Sequence, residues 1–178
     1  SMAKAKESVG QDVSQAAEFF TAMFGATDHK RLYATIIPYG HGEAFPGLIH
    51  LSYSTFADDE GASGDFNQFF RAHEVAHQWW GIGVDFASYR DQWLSEGFSN
   101  FSGLWYTQVA LKKSKYYFDQ LDLWKTDLRA RQGDVGPVGL GYRTATAVDG
   151  SEYNLVVYQK GAWTLHMLRI LMLDLRTM

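Results

Sequence analysis

The 178-residue sequence contains no cysteine. That absence excludes disulfides, zinc ribbons, iron–sulfur clusters and thiol nucleophiles, so any metal must be held by histidine and carboxylates. A basic excess is missing as well: 16 Lys+Arg stand against 20 Asp+Glu, a formal net charge of -4. Binding to a phosphate backbone draws on clustered cations, and nucleic acid is therefore not expected as a partner. No run reaches the length of a membrane span, because even the segment from Leu155 to Leu173 is broken by Lys160, His166 and Arg169. The start, Ser1 to Lys6, has no apolar stretch followed by a small-residue cleavage site, so no signal peptide is expected and no compartment is indicated. Residues 1–6 read as a tag and flexible start, and 7–178 as one domain.

What is present is the composition of a folded protein, 46% hydrophobic and 20% charged. Helical spacing of Val13, Ala16, Ala17, Phe20 and Phe24 predicts a helix over about 12–24, closed by Gly25. Strands are expected at Leu32–Ile37, ended by Pro38, and from Leu48 to Tyr53, with Val84 to Ala87 either a strand or a turn. Residues 58–64 read as a surface loop, with Asp65 as N-cap of a helix running to Trp80 and stopped by Gly81. Further helices are expected at about 93–112, 115–131 and 154–175. Between the last two, Gln132 to Glu152 carries five glycines and is a candidate cleft loop. The class is α+β, a small sheet beside several helices. Leu168, Ile170, Leu171 and Leu173 near the end form an apolar face without visible cover, the mark of a contact with another domain and of a fragment cut from a longer protein.

The predicted helix over 66–80 contains His73-Glu74-Val75-Ala76-His77. Residues four apart are neighbours on a helix, so the two imidazoles share a face with Glu74 close beside them. Two histidines so placed can bind one zinc ion, and the glutamate between them can take a proton from a water at the metal. A hydrolytic zinc site keeps three protein ligands and one open position, which calls for another carboxylate or imidazole. Glu96, in Trp93-Leu94-Ser95-Glu96-Gly97-Phe98, is the candidate, since a carboxylate beside Leu94 and Phe98 is costly to bury alone. Asn100, one turn later, either orients a ligating imidazole or is a plain exposed helix residue. His29, His41, His50 and His166 lack ligand spacing and read as surface or structural residues.

His73-Glu74-Val75-Ala76-His77-Gln78-Trp79-Trp80-Gly81, with 18 residues between His77 and Glu96, resembles the zinc signature of the membrane-alanyl-aminopeptidase family of gluzincins. Val157-Tyr158-Gln159-Lys160-Gly161-Ala162 is similar to that family's Tyr-x-Lys-Gly-Ala segment. The resemblance spans roughly residues 12–175. It implies a thermolysin-like catalytic domain and one zinc ion on His73, His77 and Glu96. It further implies Glu74 as general base, Tyr158 as the donor to the oxyanion, and aminopeptidase-like hydrolysis of peptide substrates. The family's N-terminal β domain and C-terminal helical domain are the further partners it implies, and neither is visible in this sequence.

The family's amine-anchoring motif, Gly-x-Met-Glu-Asn, is altered. His41-Gly42-Glu43-Ala44-Phe45-Pro46-Gly47-Leu48 places Ala44 and Phe45 where the acid and amide belong. Glu43 is the candidate substitute for binding substrate, although a shift of one along an extended strand turns a side chain to the opposite face. The alternatives to an aminopeptidase are an endopeptidase, an enzyme of N-blocked peptides, or a non-catalytic scaffold that keeps the metal.

Overall fold

The computed structural model describes residues 2–57, 61–131, 136–140 and 151–175. The first helix, α1, spans Met2–Phe24 and so begins about ten residues before the expected start. Ala3 to Glu7 are good helix formers, and Val9 carries the apolar stripe back one turn: Val9, Val13, Ala16 and Phe20 are all buried. Gly25 ends the helix at φ +91°, donating its N–H to the Thr21 carbonyl at 3.0 Å.

Three strands form one small sheet: β1 (Tyr33–Ile37), β2 (Glu43–Phe45) and β3 (Leu48–Ser52), in the order β1-β3-β2. β1 runs parallel to β3, and β2 antiparallel to it, with Glu43 opposite His50 and Ala44 opposite Ile49. The hairpin between β2 and β3 turns on Pro46-Gly47, with Gly47 at φ +72°. Ile49 and Leu51 face inward and are fully buried, so the strand alternation presses one sheet face on the helices. A helical turn, α2 (Ser54–Ala57), follows.

The helix bearing the His-Glu-x-x-His segment, α3, spans Gly61–Ala76. Gly61 to Gly64 therefore belong to the helix rather than to a loop, and Asp65 is an internal residue paired with Lys113, not an N-cap. Residues 84–87 form no strand; a single bridge between Trp80 and Val84 closes the turn around Gly81. Helix α4 (Trp93–Val109) packs on α3, and α5 (Ser114–Ala130) on α4. The final helix is not continuous: a turn α6 (Ser151–Tyr153) leads through a π-helical segment, Asn154–Lys160, into α7 (Gly161–Asp174). Most of the expected cleft loop over 132–152 lies outside the described residues.

The mixed, helix-dominated architecture is that of an α+β domain. One core sits between α1, α3 and the sheet, and a second, with Leu104, Tyr117 and Trp124, between α3, α4 and α5. Leu168, Leu171 and Leu173 of α7 are exposed. No described helix is long and apolar enough to cross a membrane.

Candidate metal centre

One turn of α3 separates His73 from His77, and their Nε2 atoms converge to 3.0 Å with the rings nearly perpendicular. Glu96, in the first turn of α4, brings Oε2 to 3.4 Å from the His73 Nε2 and 3.2 Å from the His77 Nε2. These are the three residues expected from the sequence, and among the described residues they are the one group of three or more metal-ligating side chains gathered so closely. Their spacing fits a single ion: ligands about 2.0–2.1 Å from one tetrahedral centre stand about 3.3–3.4 Å apart. The buried Glu96 Oε2 makes no hydrogen bond, so the polar atom at the focus is left for a cation.

Electrostatics lead to the same conclusion. Burial alone would raise the Glu96 carboxyl, but the two imidazoles beside it outweigh burial and hold the group well below its ordinary range. His77 is opposed by burial and still pushed up to about 9 by Glu96, with Glu74 and the Trp80 carbonyl adding to the effect. The centre therefore demands a positive charge between these groups, and a divalent ion can take the place of the proton.

The tautomer needed for ligation is set by the neighbours. His77 Nδ1 donates to the Trp80 carbonyl at 3.0 Å, leaving Nε2 directed at Glu96. The hydroxyls of Ser95 and Ser99, one turn apart on α4, lie 3.2 and 3.1 Å from the same Nδ1. Asn100 is buried but makes no hydrogen bond to either ligand imidazole, so the orienting role offered to it falls to Ser95 and Ser99. Their i,i+4 spacing around Glu96 was the available signal, and small hydroxyls on a helix are too common for it to be distinctive.

Three close approaches fix the geometry. A Cβ on Gly103 would stand 3.0 Å from the His73 nitrogen, so α4 crosses α3 with the ligand-bearing backbone in contact. Gly97, next to Glu96, meets Gly161 at the start of α7. A Cβ on Gly42, just before β2, would come within 2.2 Å of the Glu74 Oε1, so a larger residue there would displace the Glu74 side chain. Gln78 ties the β2–β3 turn to the end of α3, accepting from the Gly47 N–H at 2.9 Å and donating to the Phe45 carbonyl at 3.1 Å.

Glu74 is buried beside the ligands, and burial raises its carboxyl above the ordinary range against the pull of His73 and His77. Tyr158 lies in the π-helical segment with its ring stacked on His73 at 5.9 Å. Its hydroxyl is raised far above the ordinary tyrosine value by burial, then by the charges of Glu96 and Glu74, and so remains a proton donor. Glu43 is at the cleft rim, its carboxylate shared between two histidines: one oxygen is 3.1 Å from His41 Nε2, the other 3.2 Å from His50 Nδ1. Those hydrogen bonds hold its carboxyl below the usual range. His166 bonds the Tyr117 hydroxyl at 2.9 Å, and His29 packs near Gly47, both away from the centre.

Residues 6–174 match the Peptidase family M1 domain. Aminopeptidase M1-C of Oryza sativa subsp. japonica is 28% identical over 135 residues, which cover 69% of this chain and 14% of that protein. Endoplasmic reticulum aminopeptidase 1 of Homo sapiens is 33% identical over 102 residues, 55% of this chain and 10% of that one. The crystal structure of an M1 zinc metallopeptidase from Deinococcus radiodurans superposes with a TM-score of 0.63 at 22% identity, covering 89% of this chain and 32% of its own, and shares the fold. The chain thus spans a small part of the length of the relatives it matches.

Proposed function

Because the chain belongs to peptidase family M1, we propose that it hydrolyses peptide bonds at a zinc ion held by His73, His77 and Glu96, with Glu74 as general base and Tyr158 as oxyanion donor. The observation that carries this reading is the convergence of two imidazole nitrogens and one carboxylate oxygen, 3.0–3.4 Å apart, beside a buried glutamate that ligates nothing. Zinc, when bound, supplies a Lewis acid that polarises the substrate carbonyl and acidifies a water.

The chain's own groups supply the rest. Glu74, raised by burial toward working pH, accepts the proton of the attacking water and returns it to the departing amine. Tyr158 keeps its proton and donates a hydrogen bond to the oxygen on which charge develops. A scaffold without turnover would need neither group. The relatives are named aminopeptidases, and cleavage next to a free amine is the first form of this reading. Ala44, where an acid would be needed to hold that amine, favours a second form in which the amine is already acylated.

The test is a pairing of metal analysis with turnover. The purified protein, rinsed with chelator and resupplied with zinc, should hold one ion per chain, and Glu74→Gln should keep the ion while losing on the order of 10²–10⁴ in rate. A stoichiometry near zero after zinc is resupplied, or full activity in Glu74→Gln, overturns the assignment.

A further inference from the structure

Two aromatic rings from two different elements meet the ring of Tyr158. The His73 ring stacks on it at 5.9 Å with the planes 16° apart, and the Tyr153 ring meets it nearly at right angles, at 6.0 Å and 76°. His73 belongs to α3, whereas Tyr153 stands five residues before Tyr158 in the same stretch of chain. On an α-helix, residues five apart are turned about 140° from one another, and two such rings would face different ways. Here they meet because Asn154–Lys160 is hydrogen-bonded at the wider π spacing, which brings residues five apart roughly one turn above each other.

The wide turn is held from outside. Leu155, Val156 and Val157 are buried in succession. The Gly161 N–H is shared between the Tyr158 and Val156 carbonyls, and the Val157 carbonyl lies against Gly97 of α4. A π turn is rare and is found frequently at functional sites. At this one its local consequence is to add a second aromatic contact to Tyr158.

Resting on the peptidase reading, we propose that Tyr153 is a positioning residue for the oxyanion donor: the π-helical segment sets its ring against Tyr158 and so keeps the Tyr158 side chain in the one orientation that stacks on His73. An aromatic pair of this geometry is worth about a three- to tenfold preference for the contacting rotamer. A donor already aimed spends nothing on finding its place when charge develops on the substrate oxygen.

The experiment uses the zinc-loaded protein, first with 3-fluorotyrosine incorporated and then unlabelled. The fluorine signal missing from Tyr158→Phe identifies Tyr158. A ring held by its neighbours gives two lines, one for each side on which the fluorine can lie, and a freely flipping ring gives one. Tyr153 is half-buried, so removing its ring should leave the fold standing. Tyr153→Leu should merge the two lines, and Tyr153→Phe, which keeps the ring, should leave them apart. In unlabelled protein Tyr153→Leu should lower kcat about three- to tenfold with KM and zinc content at the parent values, and Tyr153→Phe should restore most of that loss. In the Tyr158→Phe background Tyr153→Leu should cost nothing more, because the group it positions is gone. A single line in the parent, or two unmerged lines in folded Tyr153→Leu, overturns the proposal. So does an equal loss in both backgrounds, which would make Tyr153 a general support of the fold, or a rise in KM in place of the fall in kcat, which would make it a substrate contact. If Tyr153→Leu does not fold, Tyr153→Met is read in the same way. Absence of turnover in the parent counts against the peptidase reading, and the fluorine lines continue to judge separately whether Tyr153 holds the ring.

Discussion

Gly97 and Gly161 touch backbone to backbone: a Cβ on Gly97 would sit 2.9 Å from the Gly161 Cα and 3.2 Å from the Val157 carbonyl oxygen, and a Cβ on Gly161 would sit 3.1 Å from the Gly97 Cα. Glu96 is the chain neighbour of one glycine, and Tyr158 stands three residues before the other. The crossing of α4 with α7 thereby brings Glu96 and Tyr158, the proposed metal ligand and oxyanion donor, beside His73. Gly97→Ala gains about 1 kcal/mol of helix propensity but forces rigid backbones apart, an overpacking that costs about 1–3 kcal/mol. The net effect should be a lower melting temperature and a rate loss larger than the loss of zinc. An unaltered melting temperature would show that the crossing relaxes freely.

Tyr158→Phe keeps the ring that stacks on His73 and removes only the hydroxyl. Zinc content should stay at the parent value while kcat falls on the order of 10²–10³, with KM little changed, as for a donor that acts only on developing charge. Metal analysis with steady-state kinetics checks both. A fall in zinc content would recast Tyr158 as a support for His73.

Ser99→Ala removes one of the two hydroxyls beside the His77 Nδ1 and leaves the Trp80 carbonyl in place. Zinc affinity should drop about tenfold, the low end for a group that orients a ligand. His77→Ala should abolish tight binding, and Asn100→Ala should do less than Ser99→Ala. Competition against a graded chelator ranks the three.

His166 has its pKa lowered, first by burial and then by the charge of Arg169. The folded state therefore binds this proton less readily than the unfolded chain, and the sign follows: the stability from neutral His166 is present above the unfolded value and is lost as pH falls through the folded one. Protonation also removes the acceptor for the Tyr117 hydroxyl if Nδ1 takes the proton. Between pH 7.5 and 5 the parent should lose more melting temperature than His166→Gln. Parallel curves for the two proteins would refute the linkage.

The helical repeat alone brings His73 and His77 together, so the primary structure by itself determined that pair, with Glu74 beside it. The cost of burying Glu96 among apolar neighbours marked it as their partner, and the structure places all three at one focus. Local periodicity also made the long helices legible, although α1 begins about ten residues before the start it indicated. Other features had no local signature. Residues 43–45 are too short a run to declare a strand, and become one only because β3 offers its edge. The π-helical segment over 154–160 reads as an ordinary helix until its packing on α4 is known. Ser99 acquires its role from the turn after α3, 22 residues away in sequence, which brings the His77 ring to it. The commitment of Glu43 to His41 and His50 depends on which face of β2 it occupies. Spacing within one helix is set by covalent geometry and travels with the sequence. Contacts between elements depend on how closely backbones approach, and at Gly42, Gly97, Gly103 and Gly161 that approach was decided by tertiary packing.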